Sequence, residues 1–384
     1  MSLFAYENMA DRLSLTRKTA LPFRERASEH DQENTFPFQN IADLKAINYP
    51  ALTLGKEFGG LGASLEEMLR HQQIIAEMDG STALAIGWHV GITMHLSEQQ
   101  EWEASVFKHF AEDILATGAL INNAASEAAT GSPTRGGLPE TTAQQNDKGW
   151  KISGRKIFTT LSPVLDYFVV SARINDSDEV GQFLVHKSRE GLSIDETWDS
   201  VAMRATGSHD LVLDQVQLDS EDLLTKITPG KKPPQGWLLH IPAVYQGIAT
   251  AAFDYALNFA NTYAPNSLAS GTIAQFPTVQ QKLGEMKLKL IQNDYLLYGV
   301  ARDWDKADCE ERFALADALS TTKVAVVNNA LDIVDLAMRL VGAKSLSANN
   351  PLQRYYRDVR AGLHNPPMED MVLVNLAKSA LNKL

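Results

Sequence analysis

Nine histidines, one cysteine and 47 acidic residues are the groups in this chain able to move a proton or hold a metal. His364 stands just before Pro366-Pro367, the place of a side chain that caps the carbonyls ending a helix. Glu369 and Asp370 follow those prolines, where a carboxylate complements the positive end of a starting helix. His89 lies in the largely apolar run 83–94, the ordinary setting of a hydrogen-bonded core histidine, while His95, His109, His186, His209 and His240 fall into no pattern. Cys309 stands alone, which excludes an intramolecular disulfide and any multi-cysteine metal centre, so no metal is expected. No stretch carries a P-loop, a dinucleotide fingerprint, His-Glu-x-x-His or Gly-x-Ser-x-Gly, and Phe58-Gly59-Gly60-Leu61-Gly62 follows no strand that would make it a phosphate cradle. Any chemistry therefore has to be assembled from distant segments.

The elements that would assemble it fall into three blocks. Up to about residue 120 the apolar spacing is helical, as in Leu65, Met68, Leu69, Gln72, Ile75 and Met78, opened by Ser64 with Glu67 three residues on, a capping box. Short alternating runs follow, among them Trp150-Lys151-Ile152-Ser153, Tyr167-Phe168-Val169-Val170-Ser171, Gly181-Gln182-Phe183-Leu184-Val185 and Leu211-Val212-Leu213, with turns such as Asn146-Asp147-Lys148-Gly149 between them. Beyond a linker holding Pro229, Gly230, Pro233 and Pro234, helical periods return over 237–264, 278–304, 311–341 and 368–384. The expected fold is α+β and mainly helical, with an N-terminal helical domain over 1–120, a central β-barrel or sandwich domain over 121–222 and a C-terminal four-helix bundle over 223–384.

Lys plus Arg is 35 against 47 for Asp plus Glu, and the resulting charge of −12 is the wrong field for nucleic acid. Residues 1–18 include Glu7, Asp11, Arg12 and Arg17 and lack the apolar core of a signal peptide. The weakly charged stretch 80–96 carries Ser81, Thr82, His89 and His95 and falls short of the roughly 20 apolar residues a membrane span needs, so a cytoplasmic protein without membrane or nucleic-acid partners is expected.

An ordered set of segments then resembles the acyl-CoA dehydrogenase family along nearly the whole chain. Leu54 with Glu57-Phe58-Gly59-Gly60-Leu61-Gly62, then Glu77-Met78-Asp79-Gly80-Ser81-Thr82-Ala83, looks like its N-terminal helical domain. Ser126-Glu127 with Gly131-Ser132 is similar to its Thr-Glu-Pro-x-x-Gly-Ser loop, and Gly154-Arg155-Lys156-Ile157-Phe158-Thr159-Thr160 to its Gly-x-Lys-x-Trp-Ile-Thr turn. Met203-Arg204-Ala205-Thr206-Gly207-Ser208 and Arg357-Asp358-Val359-Arg360 complete the order. The resemblance implies FAD between the sheet domain and the bundle, held by Ala124, Ser126 and Thr160 with Phe158 stacked on the ring system, since a flavin needs small donors along one edge and a flat apolar face. It further implies an acyl-CoA substrate near Ser132 and Arg135, with Lys231-Lys232 as further cations for its phosphates, and a homotetramer for which the faces Val324-Ala325-Val326-Val327, Ile333, Val334 and Leu336 suit either a core or an interface.

The family reaction needs a carboxylate base, and both usual positions have lost it. Counting from Arg357 lands on Pro366, and counting back from Gly247 lands on Trp237, leaving Glu369 as the nearest replacement, with Glu127 and Glu57 as other carboxylates near the motifs. Pro351-Leu352-Gln353-Arg354 with Arg357-Asp358 and His364, together with Gly87-Trp88-His89 and Thr160, instead resembles the dibenzothiophene monooxygenase-like branch, whose oxygen chemistry on reduced flavin calls for histidine and neutral donors. Asn266, Ala269 and Pro277 stand where the family carries diphosphate-gripping side chains, which admits FMN as well as FAD. Three readings follow in order: an acyl-CoA dehydrogenase passing electrons to an acceptor; a two-component monooxygenase supplied by a flavin reductase, with His364 and His89 catalytic; and a non-catalytic scaffold.

Overall fold

The computed structural model describes residues 2–130, 136–175, 177–228 and 233–381. Six helices open the chain: α1 (Met9–Ala20), α2 (Phe23–Glu33), α3 (Phe38–Ala46), α4 (Leu65–Met78), α5 (Gly80–Gln99) and α6 (Ala104–Thr117). Ser64 caps α4 as its spacing predicts, its hydroxyl accepting from the Glu67 amide at 3.3 Å. The reciprocal arm of the box is missing because the Glu67 carboxylate takes Arg12 instead, at 2.6 and 2.9 Å, a bidentate charged pair that outcompetes a single amide. The amides of Leu65 and Glu66 donate to Asp305 on α8 (Pro277–Lys306) at 2.7 and 3.0 Å, so the start of α4 is pinned to the C-terminal bundle.

The strands among the described residues are β1 (Ile121–Ala124), β2 (Thr142–Asn146), β3 (Gly149–Thr159), β4 (Tyr167–Ile174), β5 (Val180–His186), β6 (Leu192–Asp195), β7 (His209–Leu218) and β8 (Leu223–Ile227). They form one sheet in the order β6-β7-β3-β2-β4-β5-β8, with β1 added on β4. One edge of β4 is shared end to end: β1 runs parallel to Tyr167 through Val170, and β2 parallel to Arg173 and Ile174. The sheet splits at that point, and the chain leaving Ala124 emerges at the split. β8 continues the sheet past residue 222, pairing antiparallel with β5, so a boundary at 222/223 leaves the whole of this strand on the side of the bundle.

The rest is helical: α7 (His240–Thr262), α8, the short α9 (Glu311–Ala314), α10 (Ala316–Val341), α11 (Pro351–Ala361) and α12 (Glu369–Leu381). α7 is buried along most of its length between α4 and α10, and one apolar core runs through all three blocks. Gly247 makes the α7–α4 approach possible, since a Cβ there would sit 2.5 Å from the Gln73 carbonyl oxygen. Val326, Val327, Ile333 and Val334 lie in this core and not on a free face. The amphipathic α11 adds a helix that the four expected periods do not include. Among the described residues, no helix is long and apolar enough to cross a membrane and no cluster of His, Cys, Asp or Glu is arranged to hold a metal.

Candidate functional site

The pairing of β3 with β7 shifts register between Lys156 and Thr159, and Phe158 within that irregularity takes a left-handed backbone at φ +56°. The kink turns its ring outward, 60% exposed, with only an edge resting on Trp198 at 6.0 Å. Two long-range bonds bring the β1 exit to this kink: the Ile157 amide donates to the Ser126 carbonyl at 2.9 Å, and the Asn122 side chain to the Thr160 carbonyl at 2.8 Å. Ser126, Phe158 and Thr160, distant in sequence, are thereby neighbours. Ala124 is 1% exposed, which leaves only its backbone to offer. The Thr160 hydroxyl joins those of Ser208 and Thr206 in a chain of 2.8 Å contacts, while the Thr159 hydroxyl is buried without a partner.

The carboxylate beside Ser126 is fully engaged. Glu127 meets the Lys156 ammonium at 2.5 Å with both side chains nearly solvent-free, and it also accepts from the Thr141 amide and hydroxyl. Burial opposes ionisation of Glu127, but Lys156 and Thr141 hold its carboxyl below the usual range. Lys156, lowered by burial, is likewise consumed by this pair. Glu57 lies exposed on the opposite, helical block.

On the helical side, Arg357-Asp358 is a staple. Arg357 grips Asp31 of α2 and the Val201 carbonyl, and Asp358 accepts from the Met203 amide at 2.7 Å, tying α11 both to the N-terminal helices and to the loop before β7. Burial pushes the Asp358 carboxyl up to about 7. The turn that follows α11 carries His364 and is held at three points. Lys323 of α10 donates to the Gly362 carbonyl at 2.9 Å, the Tyr245 hydroxyl donates to Asn365, and Asn328 donates to Glu369 at 3.1 Å. Lys323 is 3% exposed and burial lowers its ammonium to about 8. His364 projects from this clamped turn exposed, its ring without a hydrogen-bond partner among the described residues. Its expected capping bonds are not made by the ring; its amide closes the turn on Ala361 at 3.0 Å.

His89 is the opposite case. It is fully buried, with Nε2 donating to the Pro50 carbonyl at 2.9 Å and Nδ1 accepting from the Ile121 amide at 3.2 Å. Burial drops its ring to about 4, so it is neutral at pH 7 with both nitrogens occupied, and the catalytic role expected of it has no free nitrogen to act through. It ties α5 to the first strand. Beside it, Trp237 stacks on His240 with rings 5.9 Å apart and 6° from parallel, and Trp88 meets His240 edge-on at 5.0 Å. Gly87 and Gly91, one turn apart, admit this stack: a Cβ on either would lie 2.4 Å from His240 or Trp237. Trp237, at a position counted for a base, is thus a buried indole, and its nitrogen, both nitrogens of His240 and the Gln72 carbonyl oxygen are all without partners.

Ser132 and Arg135, expected at the substrate, lie outside the described residues, as do Gly131, Lys231 and Lys232. Ser208, Asn122, Lys323, Tyr245 and His240 are contributors that the sequence reading did not single out for a site. Only Ser208 carried a signal, as the last residue of a recognised segment; the others act through contacts across domains.

Residues 15–101 match the acyl-CoA dehydrogenase N-terminal domain, 122–216 its middle domain and 239–365 its C-terminal domain. The chain is 51% identical over 359 residues to "Putative acyl-CoA dehydrogenase YdbM" of Bacillus subtilis, covering 93% of each. It is 26% identical over 394 residues to "Probable FMNH2-dependent monooxygenase SfnC" of Pseudomonas putida, covering 96% of this chain and 94% of that one. The structure of KijD3 in complex with FMN and a dTDP-linked amino sugar superposes with a TM-score of 0.84 at 25% identity, covering 97% of this chain and 93% of the other. The chain belongs to the acyl-CoA dehydrogenase family, a flavoprotein fold shared with flavin monooxygenases.

Proposed function

We propose that the protein is a monooxygenase that takes reduced flavin, FMN before FAD, from a reductase partner and inserts one oxygen atom of O2 into a small organic substrate. The observation that carries this reading is that neither counted position holds a carboxylate and that, among the described residues, Glu127 and Glu369 are both engaged by other side chains. The two counted positions are Pro366 and Trp237, Glu127 is closed on Lys156, and Glu369 sits on its helix bound by Asn328. What the clamped turn presents instead is an unengaged imidazole, His364.

The β3 kink fits a flat tricyclic ring. Phe158 offers an exposed aromatic face, Thr160 and Ser126 offer small polar groups beside it, and the unpartnered Thr159 hydroxyl marks a further polar group there. When bound, reduced flavin supplies the two electrons that let one oxygen atom enter the substrate and the other leave as water. The chain's own part is to stack the ring on Phe158, to orient its polar edge with Thr160, and to hold the His364 imidazole on a turn that Lys323 and Tyr245 keep in place. Ser132 and Arg135 remain the substrate contacts of this proposal. SfnC is named as FMNH2-dependent and KijD3 binds FMN, which supports FMN.

The dehydrogenase reading, first from sequence, becomes second: YdbM's name favours it, the missing base opposes it. The exposed apolar row Leu288, Ile291 and Tyr295 on α8 supports association between copies, and light scattering that gives a monomer would remove the homotetramer. The functional test follows reduced FMN reoxidising in air with hydrogen peroxide scored. The protein should slow peroxide release relative to free reduced FMN, and His364→Ala should abolish the slowing while flavin affinity stays unchanged. Equal rates with and without protein would sink the proposal.

A further inference from the structure

The arginines of α11 divide sharply. Arg357 is paired with Asp31 and Arg360 with Asp335, but Arg354, 6% exposed, makes no ion pair among the described residues. Its guanidinium carbon lies 5.4 Å from the Tyr355 ring centre and it hydrogen-bonds that phenol, while the buried Asp358 carboxylate one turn on attracts it without coming within ion-pair distance, so the guanidinium that faces the cleft has no directly bound anion. A cation this deep is costly unless an anion meets it.

Arg354 lines a cleft of about 440 Å3 between α2, α7 and the start of α11. Arg24 of α2 lines the same cleft; it is exposed, it too has no ion pair among the described residues, and its one hydrogen bond is a 3.5 Å contact to the Glu77 carbonyl. Ser28, Asn349 and Gln353 add uncharged polar groups. Glu25 and Asp254 stand in the same lining and would repel a bare dianion, whereas they would accept hydroxyl or amino groups at the far end of a larger ligand. The cleft meets α7 at Ala251, Asp254, Tyr255 and Asn258, three to five turns beyond the Trp237–His240 stack, and shares no residue with the flavin seat or the His364 turn.

We propose that this cleft binds a small molecule carrying one phosphate or carboxylate group, with Arg354 and Arg24 on the oxyanion and Asp254 and Glu25 on hydroxyl or amino groups at its other end. The planar fork of arginine matches either oxyanion, and the volume is that of a site for a small metabolite. The site is independent of the proposed oxygenase reaction.

Calorimetric titration of the full chain with inorganic phosphate, glucosamine 6-phosphate and glutamate tests it and separates the two sources of the anion. Binding of glucosamine 6-phosphate or glutamate, tighter than that of inorganic phosphate, is expected, and the better of the two names the source. Arg354→Gln and Arg24→Glu should each weaken it roughly tenfold or more, the loss of one charge-assisted contact. Flavin affinity, read by fluorescence quenching on the same samples, should not change. Arg24 is on the surface, so Arg24→Glu decides the matter even if Arg354→Gln does not fold. No heat from any of the three at about 10 mM, binding of inorganic phosphate alone, or affinity unaltered by Arg24→Glu would overturn the proposal.

Discussion

His89 and His364 are the same side chain in opposite settings. One is sealed between Pro50 and Ile121, with both nitrogens bonded and its proton affinity depressed; the other stands exposed on a turn whose backbone, not whose ring, is fastened. The two motif segments that meet at the β3 kink divide in the same way. Glu127, beside the β3 kink, is locked to Lys156, while Phe158, thirty-one residues on, is left open at 60% exposure. In this molecule the ring of His89 and the Glu127–Lys156 pair are fully taken up by structural contacts. The groups available for chemistry are those whose supports, and not themselves, are bonded.

The largest effect that would break this contrast is at the sealed pair. Glu127→Gln leaves the Lys156 ammonium buried and without its charge partner, and should cost about 3 kcal/mol of stability in denaturant titrations. A neutral effect would mean the pair is not structural. Next, His89→Leu strands the Ile121 amide and the Pro50 carbonyl and should cost about 2 kcal/mol, whereas His364→Ala should stay within about 0.5 kcal/mol of wild type. Reversed magnitudes would exchange the roles given to the two histidines.

The same contrast has a pH signature. The folded pKa of His89 is lowered to about 4 and that of His240 to about 3, below the roughly 6.5 of the unfolded chain. The unfolded state therefore binds more protons, and the stability these residues provide is full above pH 6.5 and lost as pH falls toward 4 and 3. Thermal melts of wild type should fall over that window, and His89→Leu should flatten part of the fall. An equal slope in both would contradict the neutral, buried assignment. The smallest effect on the fold belongs to the open region: Phe158→Ala should leave the melting temperature nearly unchanged yet weaken FMN binding roughly tenfold, as lost aromatic stacking does.

Much of the frame could be read from sequence because it rests on local rules. The Ser64 cap, the alternating runs that became β3, β4, β5 and β7, and the return of helical spacing are all short-range patterns. β8 was missed because Leu223-Leu224-Thr225-Lys226-Ile227 follows an acidic capped turn and gains strand character only by pairing with β5. The half-formed capping box failed for a related reason, since Arg12 lies 55 residues from Glu67 and no local rule includes it. At the site, the nearness of Ser126, Phe158 and Thr160 followed from resemblance, but what holds them did not. The Ile157–Ser126 and Asn122–Thr160 bonds, and the Lys323 and Tyr245 clamps on the His364 turn, are long-range contacts of residues unremarkable in their own segments. His89 shows the converse: its neighbours in sequence match an active-site pattern, while its partners in space occupy the ring.

The central claim is that the site has no base for α-proton removal, and an anaerobic titration tests it most directly. Flavin-reconstituted protein would be mixed with short-, medium- and branched-chain acyl-CoAs while the oxidised flavin band near ~450 nm is followed. The account predicts no bleaching with any thioester. Bleaching by any one of them would contradict it, restore the dehydrogenase reading and make Glu369 the first residue to replace.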